Sequence, residues 1–504
     1  MASQVPPVSR PAGQPAVAGV VVLAAGQGTR MRSSTPKVLH TLGGRSLVGH
    51  VLAAAAPLGA GTTVVVVGSG RDQVEAHLAE IAPAAVAVVQ EQQLGSGHAA
   101  EVALAAVPDL EGPVLVLNGD SPLLTTGTLE ALVAAHDAAG SVFTVLTAEV
   151  EDPTGLGRIV RDEQGAPRAI VEERDATDEQ RAIREVNAGV YVANAGTLRR
   201  VLAGLGTSNA QGEQYLTDAL APLVEGGAPT AAVRAEDPDD VLGCNDRREL
   251  AERRRTLNDR VLDDLMRAGV TVVDPQTTWV DVTVAVGNDT VLEPGTQLRG
   301  TTTIGSGAVV GPDTTLVDCV VDDGASVVRS HCLGAVIGPE ATVGPFSYLR
   351  PGTRLGRGSK AGAFVETKNA EVGEGSKVPH LSYVGDATIG RGANIGAATV
   401  FVNYDGVAKH RTTVGDHARI GSDTMLVAPV TVGDGAYTAA GSVITSDVPP
   451  GAIGVARAPQ RNVAGWVRRR RPGSPAAEAA AAADGRAEGS GTNAPKNIGA
   501  DHDS

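Results

Sequence analysis

Between residues 284 and 443, aliphatic residues recur at every sixth position, and small residues fill most of the positions between them. A period of six matches neither one face of a helix nor the alternation of a simple strand. It is typical of hexapeptide repeats, in which each hexad forms a short strand and a turn, and three hexads form one coil of a parallel β-helix. The aliphatic series comprises Ile304, Val310, Leu316, Ile337, Val343, Leu349, Leu355, Val372, Val378, Val384, Ile389, Ile395, Phe401, Val414, Ile420, Leu426 and Val432.

The repeat pattern has irregularities near 361–372 and 384–389 and a clear break at Asn403–Arg411, which reads NYDGVAKHR. Stacked coils bury one continuous column of aliphatic side chains, so the element is stable only when many repeats are present. A stretch that breaks the period cannot continue that column. We therefore predict that 403–411 leaves the coil as a loop.

Ahead of the repeats, apolar runs alternate with stretches of helical spacing. This alternation indicates a doubly wound α/β domain with a mostly parallel sheet. The predicted strands are Val17–Leu23, Thr62–Gly68, Val86–Gln90, Val114–Asn118 and Val142–Val150, and the predicted helices are Leu47–Leu58, Arg71–Ile81, Ser96–Val107 and one within Leu123–Ala139. Ligands bind such sheets at the carboxyl ends of the strands, so the loops after Leu23, Gln90 and Asn118 should carry the chemistry.

These patterns divide the chain into five segments. Residues 1–16 are rich in Pro, Ser and Gln and are predicted to be disordered. The α/β domain covers 17–246, and a charged helix over 247–269 links it to the β-helix at 270–467. Asp246 and Glu249 have the spacing of a helix-capping pair. The segment 468–504, with an arginine run and an Ala/Gly/Ser-rich tail, is also predicted to be disordered.

Composition narrows the possible functions. The formal net charge of -15 gives no support for a nucleic-acid-binding protein. No apolar run has the length needed to cross a membrane, and the N-terminal residues do not resemble a signal peptide. The cysteines, Cys244, Cys319 and Cys332, have neither metal-ligand spacing nor an even number, which favours a reducing cytoplasm.

The loop after the first strand, Leu23–Met31, reads LAAGQGTRM, and TPKVLH follows it at 35–40. Its glycines allow the backbone to approach a phosphate, and Arg30 adds a cation. Met31 stands where a Rossmann fingerprint needs its third glycine, and no Walker A pattern is present. A glycine-rich turn alone is weak evidence, but this loop followed by Pro-Lys resembles the signature of sugar-1-phosphate nucleotidyltransferases.

Further motifs narrow the resemblance. They are QLGSGHA at 93–99, NGDSPLL at 118–124, PTGLGRI at 153–159, IVEERDATDEQ at 170–180, NAGVY at 187–191 and NYDG at 403–406. Together they resemble the bifunctional N-acetylglucosamine-1-phosphate uridyltransferase/glucosamine-1-phosphate acetyltransferases over residues 17 to 467. That family resemblance implies a Rossmann-like α/β nucleotidyltransferase domain followed by a left-handed parallel β-helix of hexapeptide repeats.

For the α/β domain, the resemblance implies UTP and N-acetylglucosamine-1-phosphate as substrates and Mg2+ held by Asp120 and Asn245. Oxygen ligands combined with substrate phosphates and water suit Mg2+. Arg30 and Lys37 are expected to neutralise phosphates, since phosphoryl transfer needs positioning and charge neutralisation and no protein nucleophile. The remaining implied residues are Leu23, Ala24, Ala25, Gly26, Gln90, Gly95, Ser96 and Asn245 for the nucleotide and Gly157, Glu172 and Asn187 for the sugar. Asn118, where the family often has Tyr, and Ser96, where Thr is common, are mild departures.

For the β-helix, Arg350 and Lys368 are 18 residues apart, which is one coil, so they should lie about 5 Å apart on neighbouring coils. Two such cations repel each other unless an anion such as a sugar phosphate binds between them; the alternative is two solvated surface cations. The resemblance implies that His380 is the general base in acetyl transfer from acetyl-CoA to glucosamine-1-phosphate and that Glu366 orients it. The implied sugar-binding residues are Arg350, Lys368, Tyr383 and Asn394, and the implied acetyl-CoA-binding residues are Ala397, Asn403, Tyr404, Ser422, Ala440 and Arg457.

Hexapeptide acyltransferases are typically trimers with the site between subunits, so the resemblance also implies a homotrimer. The main alternative is a single-activity nucleotidyltransferase with a purely structural β-helix, which would not need Arg350, Lys368, His380 or the NYDG loop. A β-helix metal enzyme of the carbonic-anhydrase type would need converging histidines, and His331, His380, His410 and His417 offer no tight spacing. A non-enzymatic scaffold would leave both candidate sites without a purpose.

Overall fold

The computed structural model describes residues 17–489, so the predictions made for 1–16 and 490–504 lie outside the described chain. The N-terminal domain is built on one mixed sheet with the strand order β7-β5-β6-β4-β1-β2-β3. Its strands are β1 Gly19–Leu23, β2 Thr62–Val67, β3 Val86–Val89, β4 Pro113–Asn118, β5 Phe143–Glu149, β6 Glu185–Asn194 and β7 Thr230–Arg234.

The sheet is mostly parallel, as predicted, apart from β6 and a short antiparallel pair that extends from it. Strand β1 runs parallel to both of its neighbours, β2 and β4, and β7 runs parallel to β5. Strand β6 is antiparallel to β4 and β5. A further antiparallel pair, Arg158–Arg161 with Pro167–Val171, extends from β6. The carboxyl ends of β1 to β4 therefore meet at one edge, where the predicted loops lie.

Helices cover both faces of this sheet and bury its Val- and Leu-rich strands in two apolar clusters. They are α1 Leu47–Ala55, α2 Arg71–Ile81, α3 Ser96–Ala105, α4 Thr126–Ala139, α5 Asp178–Arg181, α6 Ala195–Leu202 and α7 Leu220–Glu225. Short 3-10 turns occur at Thr29–Met31, Lys37–Leu39, Ala56–Leu58, Leu216–Ala219 and Pro238–Val241, and a small hairpin pairs Thr41–Leu42 with Arg45–Ser46. The predicted alternation of strands and helices is confirmed, with boundaries shifted by a few residues.

The C-terminal domain is a parallel β-helix with three faces. The strands of the first face are Thr271–Val272, Val291–Leu292, Val309–Val310, Ser326–Val327, Thr342–Val343, Lys360–Ala363, Lys377–His380, Asn394–Ile395, Arg419–Ile420, Tyr437–Thr438 and Ile453–Gly454. Those of the second face are Trp279–Val280, Gln297–Arg299, Thr315–Val317, His331–Leu333, Tyr348–Leu349, Glu366–Val372, Tyr383–Ile389, Val400–Val402, Met425–Val427 and Val443–Ile444. The third face is formed by Ala285–Val286, Thr303–Ile304, Val320–Val321, Val336–Ile337, Arg354–Leu355, the ends of Glu366–Val372 and Tyr383–Ile389, Thr412–Val414 and Val430–Val432.

The predicted inward-facing residues of the hexads are all buried, from Ile304 to Val432, and belong to one continuous cluster. Burying one such aliphatic side chain stabilises the fold by about 1.5–3 kcal/mol, so each coil adds to the stability of its neighbours. The predicted break is also confirmed. Residues 403–411 leave the coil between two strands, and an antiparallel bridge between Tyr404 and Lys409 closes the loop.

Helix α8, Arg247–Arg267, connects the domains. The Asp246 side chain caps it by accepting hydrogen bonds from the backbone N–H groups of Arg248 and Glu249, both at 2.9 Å. Arg260 donates to the carbonyl of Leu123 at 3.0 Å, and Asn258 donates to the carbonyl of Thr278 at 2.9 Å. The helix thus contacts both the α/β domain and the first coil. No helix within residues 17–489 combines the length and apolarity needed to span a bilayer.

The prediction of disorder after residue 467 is wrong for the described part of that segment. Helices α9, Trp466–Arg470, and α10, Pro475–Gly489, follow the last coil. The reason is local: α10 is rich in alanine, the strongest helix former, and the Ser474 hydroxyl accepts a hydrogen bond from the N–H of Ala477 at 3.2 Å. An ion pair between Arg468 and Asp484 joins the two helices.

Candidate functional sites

The loop after β1 lies at the carboxyl edge of the sheet. Within it, Gly28 approaches Lys37 so closely that an added Cβ would lie 2.6 Å from the Cβ of Lys37. Gly28 also has a φ of 59°, in the left-handed region that favours glycine. This glycine therefore lets the loop fold back against Lys37. Arg30, in the following 3-10 turn, is exposed.

Two predicted metal ligands, Asp120 and Asn245, converge on one point although they are far apart in sequence. The ammonium of Lys37 pairs with the carboxylate of Asp120 and lies 3.5 Å from Oδ1 of Asn245. Since both oxygens face a common cation, they fit a divalent ion held by two protein ligands with substrate phosphates and water. Among residues 17–489, no group of three or more His, Cys, Asp or Glu side chains is arranged to bind a metal.

A cavity of about 1070 Å³ opens beside the loop, at the ends of β1, β2 and β3. Gln90 lines it and is buried, and its side chain donates to the carbonyl of Gly95 at 3.1 Å. Gly95 has a φ of 110°, and a Cβ there would lie 2.4 Å from the carbonyl oxygen of Gln214. The structure therefore brings Gln90 and Gly95 together, while the hydroxyl of Ser96 accepts a hydrogen bond from the N–H of Leu216 at 3.0 Å.

The predicted sugar-binding residues form a second cluster, beside the antiparallel pair Arg158–Arg161 and Pro167–Val171. The N–H of Asn187 donates to the carbonyl of Gly157 at 2.8 Å, and a Cβ on Gly157 would lie 3.5 Å from Oε1 of Glu172. The hydroxyl of Thr217 donates to Glu172 at 3.0 Å, and the amide of Asn187 donates to the hydroxyl of Tyr191 at 2.7 Å. The three predicted residues therefore lie together, and Thr217 and Tyr191, which the sequence does not single out, hold Glu172 and Asn187 in place.

Burial raises the pKa of Glu172, although the hydrogen bond from Thr217 acts in the opposite direction. A raised pKa means that the native state holds the proton more tightly than the unfolded chain, so the free energy of unfolding falls as pH rises through the raised pKa. We expect Glu172→Gln to raise the thermal unfolding temperature of the ligand-free protein at neutral pH. The difference should vanish well below pH 4.5, the ordinary pKa of the group.

The matched control for this pH series is Glu163→Gln, which changes an exposed carboxyl on the neighbouring turn. It should leave the unfolding temperature nearly unchanged at every pH. A Glu172→Gln protein that is no more stable than the wild type at neutral pH would contradict the prediction.

On the β-helix, the register pairs Leu349 with Thr367, which places Arg350 opposite Lys368 on the next coil. The predicted stacking of these two cations is therefore confirmed. A third cation joins them from the 403–411 loop: the ammonium of Lys409 lowers the pKa of Lys368, and Arg350 adds to the effect. Three cations at one point suit a phosphate.

Asp386 anchors the base of that loop. Its carboxylate accepts hydrogen bonds from the side chains of Asn403 at 2.5 Å and Asn369 at 2.8 Å. Burial alone would raise the pKa of Asp386, but these hydrogen bonds and the cations Lys368 and Lys409 outweigh it and lower the pKa. The predicted substrate residue Tyr383 lies beside Asn403, at 3.4 Å between its hydroxyl and the amide nitrogen.

His380 ends a strand of the first face, is exposed, and stacks on Ala363 of the preceding coil. Strand pairing along this face continues the same line on successive coils through Ala397, Ser422 and Ala440. Four predicted residues therefore form a row along one edge of the prism, about 5 Å apart per coil. Such a row suits an elongated ligand. Asn394 lies on the same face, and the aliphatic part of Arg457 approaches Gly441.

Glu366 does not contact the predicted base. Its carboxylate accepts a hydrogen bond from Arg350 at 3.0 Å, and within residues 17–489 no hydrogen bond joins it to His380. The two residues lie on different faces, which separates them by a corner of the prism. In the single chain, Glu366 therefore neutralises Arg350 of the cation cluster. Tyr404 is also exposed, with its hydroxyl donating to the carbonyl of Gly406 at 2.7 Å.

Sequence reasoning missed several residues that build these sites. Glu249 was identified only as a capping residue, yet its carboxylate accepts hydrogen bonds from the backbone and the side-chain amide of Asn245, at 2.7 and 3.2 Å. Lys409 lies within the loop that breaks the hexads, and its charge was the available signal. Asp386 and Thr217 gave no local signal, since their roles depend on strand pairing.

Comparison with known proteins agrees with the division of the chain into two domains. Residues 20–220 match the MobA-like NTP transferase domain family, and residues 411–446 match the bacterial transferase hexapeptide family. A protein from Streptomyces coelicolor named bifunctional protein GlmU is 60% identical over 474 residues, which are 94% of this chain and 98% of that protein. Proteins of the same name from Streptomyces avermitilis and Mycolicibacterium gilvum are 59% and 57% identical, over 94% and 92% of this chain and 98% and 94% of their own lengths.

Among solved structures, a UDP-glucose pyrophosphorylase complexed with UDP-glucose aligns with 48% of this chain and 99% of its own. The identity is 18% and the TM-score is 0.41.

Proposed function

The chain belongs to the bifunctional GlmU family, and we propose that its two transferase activities are divided between the two sites described above. The β-helix acetylates glucosamine-1-phosphate with acetyl-CoA. The α/β domain then joins N-acetylglucosamine-1-phosphate to UTP, giving UDP-N-acetylglucosamine, a precursor of bacterial cell-wall polymers. The observation that carries this division is the presence of two separate clusters of side chains suited to bind substrates. One lies at the edge of the sheet and the other on the coils of the β-helix.

In uridyl transfer, an oxygen of the sugar phosphate attacks the α-phosphorus of UTP, and the bond to the β-phosphate oxygen breaks to release pyrophosphate. Gln90 and Gly95 would hold the uracil, and Gly157, Glu172 and Asn187 would hold the sugar. Asp120 and Asn245 would hold Mg2+, which neutralises phosphate charge when it is bound. Lys37 and Arg30 would supply the remaining positive charge.

In acetyl transfer, the amine nitrogen of glucosamine-1-phosphate attacks the thioester carbon of acetyl-CoA, and the carbon–sulfur bond breaks to release CoA. His380 would accept the proton that the amine loses. Arg350, Lys368 and Lys409 would bind the sugar phosphate, with Tyr383 and Asn394 positioning the ring. The row from Ala397 through Ser422 to Ala440 would support the CoA arm, with Asn403, Tyr404 and Arg457 completing that side.

A coupled assay tests the division of labour. The purified chain receives glucosamine-1-phosphate, acetyl-CoA, UTP and Mg2+, and free CoA and pyrophosphate are measured separately. Release of both products is expected. Pyrophosphate that appears only when N-acetylglucosamine-1-phosphate is supplied, without any CoA, would mean that the β-helix is a scaffold.

We further propose that the protein acts as a homotrimer in the cytoplasm. An exposed apolar column, made of Phe346, Phe364 and Leu381, runs beside His380, and these side chains are 56%, 58% and 60% exposed. The two phenylalanine rings stack at 5.2 Å. Contiguous exposed apolar side chains favour a protein interface, and a site at such an interface would take residues from two chains. The buried free thiols of the three cysteines fit a reducing compartment.

The double variant Phe346→Asn/Phe364→Asn should convert the trimer into monomers, because it replaces most of the apolar column with polar side chains. Asparagine tolerates the positive φ of both positions, 58° and 57°, so the coil itself should persist. Sedimentation velocity measures the outcome, and acetyl transfer should fall while uridyl transfer continues. A variant that remains trimeric would refute the assignment of this column to the interface. The control is Val320→Thr, an exposed apolar residue on the third face.

A further inference from the structure

The side chain of Lys37 lies where the two proposed metal ligands converge. Its ammonium pairs with Asp120 and reaches to 3.5 Å from Oδ1 of Asn245. The side chains of Lys37 and Asp120 are only 15% and 18% exposed, so the pair is largely shielded from water. An ammonium and a divalent ion repel each other strongly at such short range, and both cannot use these oxygens together.

Contacts that do not involve Lys37 hold the backbone of Asp120 and the side-chain amide of Asn245. The N–H of Cys244 donates to the backbone carbonyl of Asp120 at 2.9 Å, which ties the segment before α8 to the end of β4. Glu249 accepts a hydrogen bond from the side-chain nitrogen of Asn245 at 3.2 Å, and Oδ1 of that amide faces the ammonium that pairs with Asp120. The backbone of Asp120 and the amide of Asn245 are therefore positioned independently of the cation that lies between their oxygens.

The base of Lys37 is fixed independently of the ion pair at its tip. Gly28 borders its Cβ, and its backbone forms the short 3-10 turn Lys37–Leu39. Beyond Cβ the lysine side chain is a flexible chain of methylenes that can redirect its charge. The nucleotide loop Leu23–Met31 runs past the same residue, so phosphates bound there would offer the ammonium a competing anion.

We propose that Lys37 and the divalent metal use the same oxygen pair in turn. In the nucleotide-free protein, Lys37 neutralises Asp120 and excludes the metal. When nucleotide phosphates draw the ammonium away, Asp120 and Asn245 become available to the metal. The site is thereby loaded with metal only when substrate is present. This inference rests on the proposed metal role of Asp120 and Asn245.

The test measures binding of Mn2+, a spectroscopic substitute for Mg2+, to the full-length protein without nucleotide, using the electron paramagnetic resonance signal of free Mn2+. Lys37→Met keeps the length of the side chain and removes its charge. It should tighten Mn2+ binding about tenfold or more, because the metal no longer has to displace the ammonium from its charge-assisted hydrogen bond. Arg30→Met removes a different cation, which lies in the loop Leu23–Met31 and does not pair with the two oxygens. This variant should change Mn2+ binding less than about twofold.

The variant Asp120→Asn, made both in the wild type and in Lys37→Met, distinguishes the proposed exchange from the proposed metal site. If it abolishes the tight binding of Lys37→Met, the metal site stands and the competition is supported. If Lys37→Met binds Mn2+ no more tightly than the wild type, while Asp120→Asn still weakens binding, the competition is wrong and the metal site survives. If Mn2+ binding by Lys37→Met is unaffected when Asp120→Asn is added to it, the metal site itself is wrong. Equal tightening in Lys37→Met and Arg30→Met would show a general charge effect and would refute the specific exchange.

Discussion

Replacing His380 with alanine is expected to reduce CoA release by about 10²–10⁴-fold, the range that a positioned general base contributes. The imidazole is exposed on the coil edge and heads the row of residues that suits the acetyl donor. Its removal opens no cavity in the core, so the fold should persist. Pyrophosphate release from UTP and N-acetylglucosamine-1-phosphate should continue at the wild-type rate, since the α/β site is unchanged.

The matched control is His417→Asn, another exposed histidine, which lies on a different corner of the prism. It should leave both activities near the wild-type level. If His380→Ala retains acetyl transfer within about tenfold of the wild type, another group accepts the proton and the assignment of the base is wrong. A pH–rate profile of the residual activity would then identify the group.

Asp120→Asn is expected to lower pyrophosphate release by about 100- to 1000-fold and to leave CoA release unchanged. The substitution preserves shape but removes the charge that would hold a divalent ion at the sheet edge, and such an ion contributes several kcal/mol of charge stabilisation. It also removes the ion-pair partner of Lys37. Pyrophosphate release is measured at saturating Mg2+, so that a lower rate does not merely reflect incomplete binding of the metal.

Asp109→Asn serves as the control for Asp120→Asn, because it changes an exposed carboxylate in the turn after α3. Its activity should match the wild type. A loss of both activities in Asp120→Asn would indicate that the two domains are not independent. Full uridyl transfer in that variant would remove Asp120 from the site.

Patterns with a short period were sufficient to predict much of the fold. The hexad positions specified the buried column of the β-helix, including Phe401, because every sixth residue of a coil faces inward. The stacking of Arg350 on Lys368 followed from the same arithmetic. Strands of continuous apolar residues likewise indicated the α/β sheet, although nothing local showed that β6 would run antiparallel to its neighbours.

The sites could be predicted only where a motif or a resemblance marked them. Lys37 and Asp120 are 83 residues apart, and Asn245 is 208 residues from Lys37, so their convergence depends on the whole sheet and on the start of α8. The role of Lys409 depends on where the 403–411 loop folds back. The small residues after 466 are typical in composition of a disordered tail, but the alanines among them favour helix, which is why the structure has α9 and α10 there.

The register of the coils also bears on how the chain reaches its native state. Residues that pair between coils of the β-helix are close in sequence. Thr438 and Gly454 are 16 positions apart, and Ala387 and Thr412, on either side of the 403–411 loop, are 25 positions apart. Contacts this near in sequence give the domain a low contact order, which favours rapid folding even though it consists of strands. Each coil can form on the preceding one as the chain leaves the ribosome. A destabilising substitution in the final coil would therefore unfold that end and leave the earlier coils folded.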